Sequence, residues 1–285
     1  MEIKKIGILG AGAMGGGIAH VAAQAGYDVI LSDVDLAYVD RAVARMDSFL
    51  AKNVQKGKMS PEEKDAFLGR ITRTTGVDAF ADADFVVEAI IENLDMKKDA
   101  FARLDAVCKP QARLVTNTSS MSITQIAAAT KRPAQVAGMH FFNPPPLMRL
   151  VEVIRGYYTS DETVRVVSET AVKMGKTPVE VKKDSPGFIV NRILMAQFIE
   201  AIRLLEEGVA SIEDIDAAVK LGLNYPMGPF ELQDYAGVDI GYHVANYFCE
   251  EFQDMRWNPP LALKALIRAG RLGKKTGAGW YDHSK

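Results

Sequence analysis

His140 is one of four histidines in the 285-residue chain and stands in the run GMHFFNPPPLMRLVEVI, where Glu152 follows it twelve residues later. Glu152 is set among Leu150, Val151, Val153 and Ile154. Burying a lone carboxylate is costly, so a glutamate in LVEVI needs either a solvent-facing place on an edge strand or an ionisable neighbour such as His140. Between the two lies Pro144-Pro145-Pro146. Three fixed φ angles make a stiff extended link that forces the chain to turn and can set the flanking strands side by side. A His–Glu pair is an acid–base device. Each residue also has a plainer reading: His140 as a core histidine bonded to a backbone carbonyl, Glu152 as the outward residue of a half-buried strand.

The elements that must position such a pair begin at the N-terminus. Lys4 to Leu9 is an apolar run that enters GAGAMGGGIAHVAAQAGYDVILSD directly, reading as strand, glycine turn, helix and strand. Gly10, Gly12 and Gly15 fit G-x-G-x-x-G: the first permits the tight turn, the second admits a pyrophosphate to the backbone, and the third lets helix and strand pack closely. The helix start offers its N–H groups to that phosphate. Such turns are common on their own, but here the strand before, the helix with Ile18, Val21 and Ala22 after, and Gly26 as C-cap supply the context. The second strand, Asp28 to Leu31, leads to Asp33, eighteen residues past Gly15. An acid there is placed to accept both hydroxyls of an adenosine ribose and would repel a 2′-phosphate, which favours NAD over NADP. A flavin site or a degenerate fold is the alternative.

Leu36 to Phe67 reads as helical and charged, with a new helix starting at Ser60-Pro61-Glu62-Glu63. Lys52, Lys56 and Lys58 form either a solvated face or a phosphate patch. Strands are expected at Ile71–Thr74 and Phe85–Ile91, the latter apolar except for Glu88, as in a parallel strand buried on both faces. Ligands collect at the C-terminal ends of such strands, so Glu92, Asn93 and Lys97 are candidate cofactor contacts. The strand Arg113–Thr116 ends in Asn117-Thr118-Ser119-Ser120, whose plain role is to cap the helix from Ile123. Val136 to Met139 then delivers His140 to the same rim. Alternating strands and helices predict a Rossmann-type, doubly wound, mostly parallel α/β sheet over residues 1–183. Residues 184–285 read as an all-α domain. There Ser185-Pro186 opens a long helix closed by Gly208, with Asn191 and Arg192 in its first turns. Asn191 is either a helix–helix hydrogen bond or a group aimed at a ligand. Ser211 with Asp214 caps the next helix, and further helices are expected within Phe230–Phe252 and Leu261–Ala269.

Composition excludes several classes. With 34 basic and 36 acidic residues the net charge is −2, which leaves no footprint for general binding to nucleic acid or membrane. Cys108 and Cys249 show no metal or redox spacing, so no disulfide or metal site is expected. No apolar run reaches the ~18 residues that span a bilayer, and no leader is evident, so a cytoplasmic protein is expected.

The runs GAGAMGGGIA, NTSS, GMHFFNPPPLMRLVEV, SPGFIVNR, YPMGPFEL and GRLGKKTGAGWYDH, in this order and spacing, resemble the L-3-hydroxyacyl-CoA dehydrogenases over essentially the whole chain, and among these the compact bacterial 3-hydroxybutyryl-CoA dehydrogenases. The resemblance implies hydride transfer between NAD and a 3-hydroxyacyl-CoA, with His140 as general acid–base and Glu152 as its partner. It places the substrate-positioning residues at Ser119 and Asn191. Cofactor contacts fall on Gly10, Ala11, Gly12, Ala13, Met14 and Gly15, on Asp33, Glu92, Lys97, Ser119 and Asn143, and on Lys275. Lys52 and Lys56 correspond to the basic helix that meets the CoA phosphates, a match carried by lysine spacing alone. The third proline of NPPP departs from the usual pattern. The family also implies a homodimer formed through the helical domain. Two rivals remain: a dehydrogenase of a free hydroxyacid or sugar acid, which would call for an arginine or lysine cluster at the carboxylate, and a non-catalytic NAD-binding protein.

Overall fold

The computed structural model describes residues 2–284 of a chain that divides into two units, with the boundary between Ser185 and Pro186. The first unit runs β1 (Lys5–Leu9), α1 (Ala13–Gln24), β2 (Asp28–Asp33), α2 (Leu36–Gln55), α3 (Pro61–Gly69), β3 (Ile71–Thr75), β4 (Phe85–Glu88), α4 (Leu94–Val107), β5 (Arg113–Thr116), α5 (Ile123–Ala127), β6 (Val136–Phe141), β7 (Leu150–Ile154), α6 (Asp161–Lys173) and β8 (Thr177–Val181). Its eight strands form one sheet in the order β3-β2-β1-β4-β5-β6-β7-β8. All neighbours are parallel except β6 and β7. Both faces are covered. Ile18, Val39, Val43 and Val167 pack with Ile8 and Val153 on one side, and Phe80, Phe101, Leu104 and Ile126 pack with Val86 and Leu114 on the other. This two-sided burial is why β4 and β5 are buried along their whole length.

Local chemistry explains the boundaries. The helix expected to start at Ser60 does so through a capping box: the Ser60 hydroxyl accepts from Glu63 N at 3.1 Å and the Glu63 carboxylate accepts from Ser60 N at 2.7 Å. Three expectations need correction. The strand expected to run to Ile91 ends at Glu88, because the Glu88 carboxylate itself accepts from Ile90 N and curls the chain away from the ladder. The cap of α5 is Ser122, which accepts from Gln125 N, rather than the Asn117–Ser120 cluster. The three prolines do turn the chain and set β6 beside β7, but through a tight turn rather than extended backbone, with the Pro144 carbonyl accepting from both Leu147 N and Met148 N.

The second unit is helical: α7 (Val190–Glu206), α8 (Ile212–Leu223), α9 (Pro229–Ala236), α10 (Val238–Phe252) and α11 (Leu261–Arg268). α7 starts at Val190 and not at Pro186, since Gly187 and Phe188 take positive φ of 73° and 53° and cannot lie in a right-handed helix. The Gly187 site is also closed to any side chain, because a Cβ there would lie 2.1 Å from the Phe248 ring. One core joins Phe198, Phe248 and Trp257, another Ile202, Ile215, Phe230 and Leu263. No helix of the described residues is long and apolar enough to cross a membrane.

Candidate active site

β7 runs antiparallel to β6 in a register that sets His140 directly opposite Glu152. Their side chains meet at 2.8 Å, Nδ1 to Oε2, with the histidine side chain 7% and the glutamate 1% exposed. With Glu152 ionised its carboxylate only accepts, which puts the proton of this bond on Nδ1 and, in a neutral ring, the lone pair on Nε2. The Phe142 ring packs against the imidazole at 4.6 Å between centroids. Two further contacts hold the pair in register. Asn117 Oδ1 accepts from Phe141 N at 2.9 Å, extending the β5–β6 pairing past its last ladder bond. Lys176, buried beneath the proline turn, donates to the carbonyls of Pro145 and Met148, the latter at 2.9 Å. Burial pulls the Lys176 ammonium below its ordinary pKa.

The glycine turn separates its three residues by cause. Gly10 has φ 106°, and a Cβ there would sit 2.4 Å from the Ala89 carbonyl oxygen; one on Gly15 would sit 1.9 Å from the Gly10 carbonyl oxygen. Both are required by the protein's own packing. A Cβ on Gly12 would meet nothing within 4 Å. Nothing inside the fold asks for glycine there, so the open approach to the backbone at the start of α1 fits a ligand, as a dinucleotide pyrophosphate requires. Asp33 lies across this turn, accepting from Ala11 N at 2.6 Å and from Val34 N at 2.7 Å. The carboxylate thus fastens the glycine turn to the end of β2.

At the ends of β4 and β5 a chain of charges gathers. Lys97, expected as a cofactor contact, is 1% exposed and bonds Glu88 at 2.7 Å, with Glu92 at 3.3 Å. Glu92 accepts from Ser119 N at 3.0 Å and from the Thr118 hydroxyl. Burial acts to raise the Glu92 carboxyl, but the Lys97 charge and the bonds from Thr118 and Ser119 outweigh it and hold it below the ordinary 4.5. Asn93 is occupied as the cap of α4, accepting from Met96 N at 3.0 Å. Asn143 is exposed in the proline turn, and Ala13 and Met14 open α1. Lys52 lies in the last turn of α2 and Lys56 is its C-cap, both exposed, with Lys56 N bonded to the Lys52 carbonyl.

In the second unit Asn191 is half-buried in the first turn of α7. Lys275 is held by the Asp239 carboxylate at 2.6 Å. The segment bearing Lys275 is latched by two buried aspartates. Asp234 accepts from Trp280 N and Tyr281 N at 2.8 and 2.9 Å and pairs with His283 at 2.8 Å. Asp216 accepts from Phe230 N, Glu231 N and the Tyr281 hydroxyl.

Residues 5–185 match the sequence profile of the 3-hydroxyacyl-CoA dehydrogenase NAD binding domain, and residues 187–283 match that of the C-terminal domain of the same enzymes. The chain belongs to the 3-hydroxyacyl-CoA dehydrogenase family. Within the family it is 49% identical to a probable 3-hydroxybutyryl-CoA dehydrogenase of Deinococcus radiodurans, over 98% of this chain and 100% of that one. It is 44% identical to the 3-hydroxybutyryl-CoA dehydrogenase of Clostridioides difficile, over 99% and 100%. The crystal structure of (S)-3-hydroxybutyryl-CoA dehydrogenase from Ralstonia eutropha superposes with a TM-score of 0.96 at 42% identity, covering 100% of both chains.

Sequence reasoning missed several residues that brace these segments. Glu88 carried a signal, as the one charge in an apolar strand. Lys176, Asp216 and Asp234 carried none, because their partners lie 14 to 65 residues away.

Proposed function

We propose that this chain interconverts a short-chain (S)-3-hydroxyacyl-CoA, such as 3-hydroxybutyryl-CoA, and the corresponding 3-ketoacyl-CoA with NAD(H). The observation that carries the reading is the buried His140–Glu152 bond at the end of β6. Oxidising a secondary alcohol requires a base for the hydroxyl proton as hydride leaves the same carbon, and imidazole titrates near neutrality. The lone pair on His140 Nε2 takes that proton. Glu152 accepts from Nδ1–H, fixes the tautomer and stabilises the imidazolium that forms. In reduction the imidazolium returns the proton to the carbonyl oxygen. Ser119 and Asn191 are the substrate-positioning residues. The glycine turn with Ala11, Ala13 and Met14, together with Asp33, Glu92, Asn143 and Lys275, holds NAD, which when bound supplies the two-electron acceptor. Lys97 serves NAD through Glu92, since its ammonium is buried against the glutamates. Lys52 and Lys56 meet the CoA phosphates.

The protein works as a cytoplasmic homodimer paired through its helical unit. Leu221 at 86% and Leu223 at 57% exposure at the end of α8 support that reading, as apolar area of this kind is usually covered. NADH oxidation measured with acetoacetyl-CoA beside free acetoacetate tests the function. Turnover of the thioester with little on the free acid is expected. The reverse preference would make the chain a free-acid dehydrogenase, and no turnover of either would make it a non-catalytic binding protein.

A further inference from the structure

Glu88 is fully buried at the end of β4, yet it touches a cation and two polar groups at once. Oε1 accepts from Lys97 Nζ at 2.7 Å and from Ile90 N at 2.8 Å, and Oε2 accepts from the Thr116 hydroxyl at 2.7 Å. An ion pair this deep is poor value for stability, since well-packed apolar residues of the same volume usually hold a fold as well or better. Its worth lies in what it orients.

Three pieces of the site lead back to this carboxylate. Thr116 gives its hydroxyl proton to Glu88, which leaves its oxygen to accept from Thr118 N at 3.2 Å, the first bond of the turn that carries Ser119. Lys97, held by Glu88, reaches Glu92, and Glu92 accepts from Ser119 N at 3.0 Å. The turn that Glu88 closes onto Ile90 N lies directly under the dinucleotide loop, where the Ala89 carbonyl oxygen stands 2.4 Å from the point a Gly10 Cβ would occupy. Ser119 is therefore braced by two separate routes from one oxygen pair, and the loop at Gly10 by a third.

We propose that Glu88 is a positioning residue for the reaction: without touching substrate or cofactor, it sets the Ser119 turn through Thr116 and Lys97–Glu92 and the glycine loop through the Ile90 turn. This rests on the functional reading above for what Ser119 and the loop hold. A purely structural role would lower thermal stability and leave each folded molecule with native kinetics. A positioning role changes kinetics in a protein that is still folded.

The experiment compares Glu88→Gln, Glu88→Asp and Thr116→Val by thermal melting, NADH fluorescence titration and NADH oxidation with acetoacetyl-CoA. The amide of Gln would face Thr116 with an N–H₂, which leaves the threonine hydroxyl proton without its acceptor, and the Lys97 ammonium loses the charge it is held by. Glu88→Gln is expected to weaken NADH binding and to lower kcat, each by roughly ten- to a hundredfold, as misplacement by about an ångström does. Glu88→Asp keeps the charge and should recover part of both. Thr116→Val cuts only the hydroxyl route, so kcat should fall while the Kd for NADH stays within about twofold. A folded Glu88→Gln protein with native Kd and kcat overturns the proposal. If that variant does not fold, native kcat in Thr116→Val overturns it instead. Failure of the functional reading would show separately, as a wild type that binds NADH but does not turn over acetoacetyl-CoA.

Discussion

Glu152 in the first unit and Asp216 in the second are both carboxylates with 1% exposure or less, and each accepts from one ring-bearing side chain: His140 at 2.8 Å, Tyr281 at 2.7 Å. The geometry is nearly the same and the chemistry is not. Asp216 also accepts from the amides of Phe230 and Glu231, so it closes the start of α9 and pins the C-terminal segment to it. Burial pushes the Tyr281 hydroxyl far above its ordinary 10, and the bond to Asp216 pushes it the same way. Imidazole has an unperturbed pKa near neutrality and a second nitrogen on the far side of the ring. A buried carboxylate with a phenol is a latch. A buried carboxylate with an imidazole at the rim of a parallel sheet can pass a proton on.

The sharpest break of this comparison is His140→Gln, which should cut kcat by roughly 10² to 10⁴ while NADH affinity and melting temperature stay near native. Steady-state kinetics beside a fluorescence titration checks it, and retained turnover would reduce the pair to a structural bond. Asp33 sharpens the lesson from between the two cases, since it accepts from backbone amides as Asp216 does and is also assigned a ligand. Asp33→Ala should weaken NADH by about ten- to a hundredfold, the worth of hydrogen bonds to a charged group, and narrow its advantage over NADPH. Asp33→Asn keeps an acceptor for Ala11 N, so a loss that persists in it belongs to the ribose contact and the charge rather than to the turn.

For the latch, Tyr281→Phe should cost about 1.5–3 kcal/mol in chemical denaturation, with kcat per folded molecule unchanged. A kinetic effect without a stability loss would invert the distinction drawn between the two carboxylates. Smallest is the exposed pair at the end of α2. Lys52→Ala/Lys56→Ala should raise KM for acetoacetyl-CoA about two- to fivefold and flatten its dependence on salt, because charges at a surface are weak and screened. The same variant should match wild type on a truncated thioester without the nucleotide end. Equal losses on both thioesters would place these lysines in the fold, not in ligand binding.

Much of the geometry of the candidate site is legible in the sequence, and for a physical reason. A dinucleotide turn is local: strand, three glycines, helix and an acid at the end of the next strand lie within one short stretch, and each responds to backbone constraints that spacing reveals. His140 and Glu152 stood out because polar groups in apolar strands need partners. Tertiary structure decided which partner. A slip of one residue between β6 and β7 would send every side chain of the strand to the opposite face, and only the packed sheet, with Asn117 and Lys176 holding the strand end and the proline turn, sets the register that puts 140 against 152. The start of α7 was missed because Phe188 takes a left-handed conformation that its sequence does not announce. Likewise nothing periodic links Glu88 to Lys97 and Thr116, or Asp216 to Tyr281. Single hydrogen bonds leave no pattern along a chain, and their partners are chosen only when distant elements pack together.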